Sequence, residues 1–216
     1  MNHAALILAT LVLSSISLIG SAETLETCNG DADIVFVVDA SGSIGSSNFQ
    51  KVLRFIINIT TYFSDDALSG IRFGLVTFSD AANISFDLDK YNDSVSLRQA
   101  ISSVPYARGF TRTDKGLDKA RNMFGKDRRP HVIILVTDGQ SSSRESTKAA
   151  ADRLREANII TLGIGVTDSI NEEELKYIGG PNDILTVNNF DVLQDILQGL
   201  VRRTCQSIGG AQIQVN

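Results

Sequence analysis

From residue 31 to residue 205, short continuous apolar runs alternate with segments whose apolar positions recur every three or four residues, the pattern of α/β layering. The run from Asp33 to Val38 ends at Asp39 and has the unbroken hydrophobicity of a parallel strand buried on both faces. Behind it, Ser47-Asn48-Phe49-Gln50 fits a capping box, and Phe49, Val52, Leu53, Ile56, Ile59 and Phe63 follow at helical spacing, which predicts a helix over 48–63. Strands are expected at 72–79 and 83–88. Only Asp80, Ala81 and Ala82 separate them, too short a link for a parallel crossover, so they must form an antiparallel hairpin. Helices at 94–103 and 113–124, a strand at 131–137, a helix at 145–157 and a strand at 159–166 continue the alternation. A helix opened by Ser169-Ile170-Asn171-Glu172, a short strand at 184–187 and a closing helix from Phe190 end it. The expected fold is α/β: a doubly wound, mostly parallel sheet of about six strands with one antiparallel edge strand and helices on both faces.

The flanks and the composition narrow this picture. Ala4 to Ile19 is apolar without an ionised side chain, and Gly20-Ser21-Ala22 precedes the polar Glu23, so residues 1–22 read as a signal peptide cleaved after Ala22. No later segment is long and apolar enough to span a bilayer, and the mature chain is expected to be secreted and extracellular. Cys28 and Cys205, the two cysteines, bracket the patterned region. In an oxidising compartment they either pair with each other, closing a loop that the chain-entropy model values at about 5 kcal/mol, or link separate chains. A single domain over 23–205 then leaves 206–216 as a tail or the start of a linker. Asn58, Asn83 and Asn92 begin N-x-S/T sequons, with Asn58 on the polar face of its helix beside Lys51 and Arg54. The formal charge of -5 argues against a grip on nucleic acid through phosphates.

Candidate chemistry sits where the two most apolar strands end. Asp39-Ala40-Ser41-Gly42-Ser43 places three oxygen-bearing side chains on one turn, and Asp138-Gly139 leaves the other strand. In a doubly wound sheet, adjacent strands whose crossovers go to opposite faces leave a ligand crevice at their carboxyl ends. Oxygen donors alone suit a hard divalent cation, Mg²⁺ or Mn²⁺, and two carboxylates just balance its charge. An Asp or Glu carboxylate from another protein can complete the coordination of such an ion.

These residues resemble the von Willebrand factor type A family, which includes the integrin I domains. Asp39-Ala40-Ser41-Gly42-Ser43 is similar to its DxSxS motif, Gly109-Phe110-Thr111-Arg112-Thr113 to its threonine loop, and Val136-Thr137-Asp138-Gly139 to its third element. The resemblance runs from about Asp31 to Cys205. It implies a Rossmann-like fold and a metal-ion-dependent adhesion site made of Asp39, Ser41, Ser43, Thr111 and Asp138. It also implies adhesion or matrix assembly, with collagen or another matrix protein as the ligand; the oligomeric state stays open. Arg108, Asp114 and Gly116 depart from the family's usual Gly, Gly and Ala, and Arg108 and Arg112 either favour acidic ligands or are merely solvated. In integrin-like members the closing helix shifts with metal coordination, and a bridge at Cys205 would restrain it.

Rival chemistries fail on particular residues. An EF-hand starting at Asp39 would put Ile44 at its glycine and Gln50 at its bidentate glutamate. An aspartyl-phosphate enzyme would want a second Asp where Ser41 stands. For a serine hydrolase, His131 begins the strand that Asp138 ends, and about seven residues at ~3.3 Å each place it roughly 20 Å away. Gly163 and Gly165 lack the third glycine of a dinucleotide fingerprint and read as close packing. The chain is therefore expected not to be an enzyme. A metal-independent structural or assembly domain of the matrix, linked through its cysteines, is the alternative.

Overall fold

The structure is a computed structural model that describes residues 25–63, 70–167, 169–209 and 211–215, with the backbone alone for 25–27, 29 and 211–215. The proposed signal peptide lies outside the described residues. Among the described residues, strands β1 (Leu25–Asn29), β2 (Ala32–Asp39), β3 (Ile71–Phe78), β4 (Ala82–Phe86), β5 (His131–Thr137), β6 (Ile160–Val166), β7 (Ile184–Val187) and β8 (Ala211–Val215) are interleaved with six α-helices. These are α1 (Ser46–Thr61), α2 (Ser94–Ser102), α3 (Thr113–Arg121), α4 (Arg144–Glu156), α5 (Glu172–Gly179) and α6 (Leu197–Ser207).

The main sheet has six strands in the order β4-β3-β2-β5-β6-β7. All neighbours are parallel except β3 and β4, which form the expected antiparallel hairpin at the edge. Alternate residues of each central strand feed opposite layers. Ile34, Phe36, Val38, Ile134 and Val136 pack toward α1, α2 and α6, whereas Val35, Val37, Ile133 and Leu135 pack toward α3, α4 and α5. Burial on both faces explains why β2 and β5 read as unbroken apolar runs. Gly163 is required by the second layer, because a Cβ there would lie 2.7 Å from Cδ1 of Leu175 on α5.

Three local features differ from the sequence expectation. Helix α1 starts at Ser46 behind Gly45, whose φ of 73° turns the chain and whose carbonyl accepts the Phe49 N–H, so no side chain caps it and the Ser47 capping box is not used. The closing helix begins as a 3₁₀ helix, Phe190–Ile196, before becoming α6. Residues 206–216, expected as a tail or linker, include the end of α6 and strand β8, which pairs antiparallel with β1.

Cys28 and Cys205 form an intrachain disulfide across 177 residues, with their Cα atoms 5.7 Å apart. Both cysteines are thereby used internally, which removes the interchain link from the alternatives. Cys28 also donates its N–H to the Tyr62 carbonyl at the end of α1, so the clamp gathers β1, α1 and α6.

Candidate metal centre

Adjacent parallel strands β2 and β5 are aligned with Val38 opposite Val136, and the helices that follow them, α1 and α4, lie on opposite faces. Their carboxyl ends therefore open the crevice at the point where the strand order reverses. Asp39, the last residue of β2, is fully buried. Its Oδ1 accepts the Ser41 N–H at 2.8 Å and its Oδ2 the Thr137 hydroxyl at 2.7 Å. Each oxygen keeps a second lone pair. The Ser41 and Ser43 hydroxyl oxygens lie 3.1 Å apart, and Ser43 donates to Asp138 Oδ1 at 2.9 Å. A chain of hydrogen bonds through the Ser41 N–H and the Ser41 and Ser43 hydroxyls thus links the end of β2 to the end of β5.

Thr111 reaches the same place through its loop. The Gly42 N–H donates to the Gly109 carbonyl at 2.9 Å, fastening the threonine loop to the DxSxS turn. Gly109 has a φ of 117°, a conformation open to glycine, and a Cβ there would sit 2.6 Å from a carboxylate oxygen of Asp80. That carboxylate accepts the Phe110 N–H. Thr111 itself is held by its backbone, donating N–H to Ser142 Oγ at 3.0 Å and accepting the Ser142 N–H at 2.8 Å. Among the described residues its hydroxyl has no hydrogen-bond partner, which leaves that oxygen available to a ligand.

Residues outside the motifs hold this arrangement. The Tyr106 hydroxyl donates to the Ser41 carbonyl at 2.7 Å and accepts the Gly45 N–H at 3.0 Å, tying the DxSxS turn to the start of α1. Glu174 on α5 accepts the Ser141 N–H and hydroxyl at 2.9 and 2.8 Å, which fixes the loop carrying Ser142. Neither was found from the sequence, because the bonds by which each holds the site reach distant parts of the chain.

The electrostatics fit a cation. Desolvation by burial pushes the Asp39 carboxyl up from 3.8 to about 6 against its hydrogen bonds to Ser41 and Thr137, with the neighbouring Asp138 charge adding to the rise. Burial also raises Asp138, against its bond from Ser43. Two desolvated carboxylates that resist carrying charge together are what a divalent ion would relieve. Asp39, Ser41, Ser43, Thr111 and Asp138 are the residues that would hold it.

The von Willebrand factor type A model matches residues 33–199. This chain belongs to that family. Across 79% of its length it is 36% identical to the transmembrane cell adhesion receptor mua-3 of Caenorhabditis elegans, of which it spans 5%. Across 83% it is 32% identical to the human collagen alpha-5(VI) chain, of which it spans 7%. Proximal thread matrix protein 1 of the mussel byssus, with zinc in its metal-ion-dependent adhesion site, superposes with a TM-score of 0.77. The two are 31% identical over 88% of this chain and 49% of the mussel one. Manganese-loaded TRAP protein of Plasmodium vivax, 20% identical over 88% of this chain and 78% of its own, shares the fold at a TM-score of 0.70.

In this von Willebrand A domain the two arginines of the threonine loop part ways. Arg112 is spent on a bidentate pair with Asp114 at 2.8 and 2.6 Å, so its charge is not offered to a ligand. Arg108 is exposed, with its guanidinium 5.9 Å from the Tyr106 ring centroid, and Phe110 beside it is 73% exposed. Asp33, Asp127 and His131 form a second group of potential ligands at the opposite end of the sheet, where Asp33 and His131 lie side by side at the start of β2 and β5. Arg72 fills that group. It donates Nε and Nη2 to the two Asp33 oxygens at 2.6 Å and Nη2 to Asp127 at 2.9 Å, supplying the positive charge itself.

Proposed function

We propose that this chain is a secreted, non-catalytic binding module that holds Mg²⁺ or Mn²⁺ through Asp39, Ser41, Ser43, Thr111 and Asp138 and captures a protein ligand through an Asp or Glu carboxylate. The observation that carries this reading is the hydrogen-bonded cluster from Asp39 to Asp138 with the Thr111 loop fastened beside it. When bound, the cation supplies an electrophilic position that a partner's carboxylate can occupy with a short, directional bond. The chain's own residues do the rest. Asp39 and Asp138 neutralise the ion without overcharging it, and the neutral hydroxyls leave it electrophilic. Thr137 and Ser41 orient the Asp39 carboxylate, while Ser142 orients Thr111.

Exposed Phe110 and Arg108 flank the site and suit a ligand whose carboxylate is followed by apolar surface. The names of the relatives, a cell adhesion receptor, a collagen chain and a matrix protein, support a matrix protein such as collagen as the partner. Asn58, Asn83 and Asn92 are all exposed and would accept glycans in the secretory route.

Calorimetric titration of Mg²⁺ and Mn²⁺ into the mature chain, beside Asp39→Ala and Thr111→Ala, tests the reading. One ion bound by the parent and none by folded Asp39→Ala is expected, with matrix-protein binding abolished by chelation. Equal heats from parent and variants would reject it.

A further inference from the structure

We propose that the cleft at the amino-terminal end of the sheet, between the α3–β5 loop and the α4–β6 turn, is an anion site that takes a sulfate group of an acidic polysaccharide. The cleft has a volume of about 570 Å³ and is lined by Arg121, Lys126, Arg128, Arg129 and His131, with Asp127 as its lone acid. That acid is already engaged, since its oxygens accept from Arg72 at 2.9 Å and from the Arg129 N–H at 3.2 Å. Positive charge therefore prevails in the cleft of a chain whose net charge is -5.

One donor in the cleft wall, Arg121 Nε, is buried without a hydrogen-bond partner. The nearest acid to Arg121 Nε is Asp118 at 3.8 Å, too long for a hydrogen bond. His131 Nε2 is no such donor, since it lies between Asp127 Oδ1 at 3.5 Å and Asp33 Oδ2 at 3.8 Å, with its ring stacked on Phe124 at 4.6 Å. A buried donor left unpaired is costly, and an oxyanion entering the cleft would satisfy it. On the rim, Lys126 and Arg128 are exposed and form no ion pair among the described residues. They are placed to take the neighbouring anionic groups of a chain.

The shape and charge favour a polysaccharide over other polyanions. A concave cleft with an inner guanidinium donor admits one tetrahedral group, and the rim then engages the next along a flexible chain. The acidic remainder of the molecule repels a wide, rigid duplex or a flat anionic membrane. Because Asp39 and Asp138 lie at the other end of the strands, the cleft works independently of the metal centre.

The test is fluorescence anisotropy of a labelled, highly sulfated oligosaccharide with the mature chain. Expected are binding that weakens as salt rises and persists in chelator, competition by inorganic sulfate, and no binding of the desulfated sugar. The double variant Lys126→Ala/Arg128→Ala should lose at least about tenfold in affinity with an unchanged melting temperature. Arg98→Ala, exposed on α2, should bind like the parent. The proposal is overturned if the double variant binds as tightly as the parent, if desulfated sugar competes equally, or if Arg98→Ala costs as much. It is likewise overturned if duplex DNA or anionic vesicles bind more tightly than the sugar.

Discussion

At the scale of single residues, the proposed ligands were legible because their spacing is local: Asp39, Ser41 and Ser43 share one turn, and Thr111 and Asp138 sit in short motifs of their own. The residues that hold them were not, since Tyr106 meets Ser41 across 65 positions, Thr137 meets Asp39 across 98 and Glu174 meets Ser141 across 33. Only folding sets those pairs. Glu174 is a positioning residue, 8% exposed, whose carboxylate fixes the loop that holds Thr111 through Ser142. Replacing it with Gln keeps an acceptor for the Ser141 N–H but swaps the charged acceptor of the Ser141 hydroxyl for a neutral N–H donor, so that hydroxyl must turn to accept and loses a charge-assisted bond. Glu174→Gln should therefore weaken Mg²⁺ binding roughly tenfold while the circular dichroism stays that of the parent. Unaltered affinity in calorimetry would remove Glu174 from the site.

Asp39 also carries a pH signature. Its carboxyl is raised from 3.8 to about 6 by burial, so between those values the native metal-free domain holds a proton that the unfolded chain releases. Stability from this group is thus full below about pH 4 and declines as pH rises through about 6. In chelator, the stability difference between the parent and Asp39→Asn, whose amide does not titrate, should shift against the parent over that window. Urea midpoints at several pH values measure it, and a pH-independent difference would show that Asp39 is not desolvated as the structure has it.

At the scale of elements, strand and helix order followed from periodicity, and the hairpin followed from the shortness of its connection. Helix starts did not follow as well. The capping box at Ser47 lost to the turn at Gly45, because the backbone leaving Asp39 must reverse sharply while Tyr106 holds the Gly45 N–H. The β1–β8 pair escaped notice because it joins segments from the two ends of the chain, one of which reads as a polar tail. Gly163 shows packing deciding an element's sequence. Alanine would gain about 0.5–1 kcal/mol in backbone entropy, but its Cβ would press Leu175 at 2.7 Å, and overpacking costs about 1–3 kcal/mol. Gly163→Ala should accordingly destabilise the domain by about 1–2 kcal/mol in urea unfolding, and a neutral or stabilising result would mean that α5 yields freely.

At the scale of the whole molecule, the parallel sheet separates the two ends. Carboxyl ends of β2 and β5 carry the oxygen cluster, whereas their amino ends carry the Arg72 network, the basic cleft and, just before β2, the disulfide. The bridge holds Cys205 near the end of α6 against Cys28, so α6 cannot slide along the domain without carrying β1 with it. A module clamped this way is expected to bind metal and ligand without a large helix shift. Hydrogen exchange of 197–207 in the oxidised chain should therefore be the same with and without Mg²⁺. Replacing both cysteines by serine should lower stability by about 2–5 kcal/mol, since the bridge closes a very long loop, while Mg²⁺ affinity stays within about twofold because β2 and β5 build the site without α6. If exchange across 197–207 changes strongly on adding metal, or if losing the bridge changes metal affinity many-fold, then helix position and coordination are coupled and the clamp regulates binding as well as stabilising the fold.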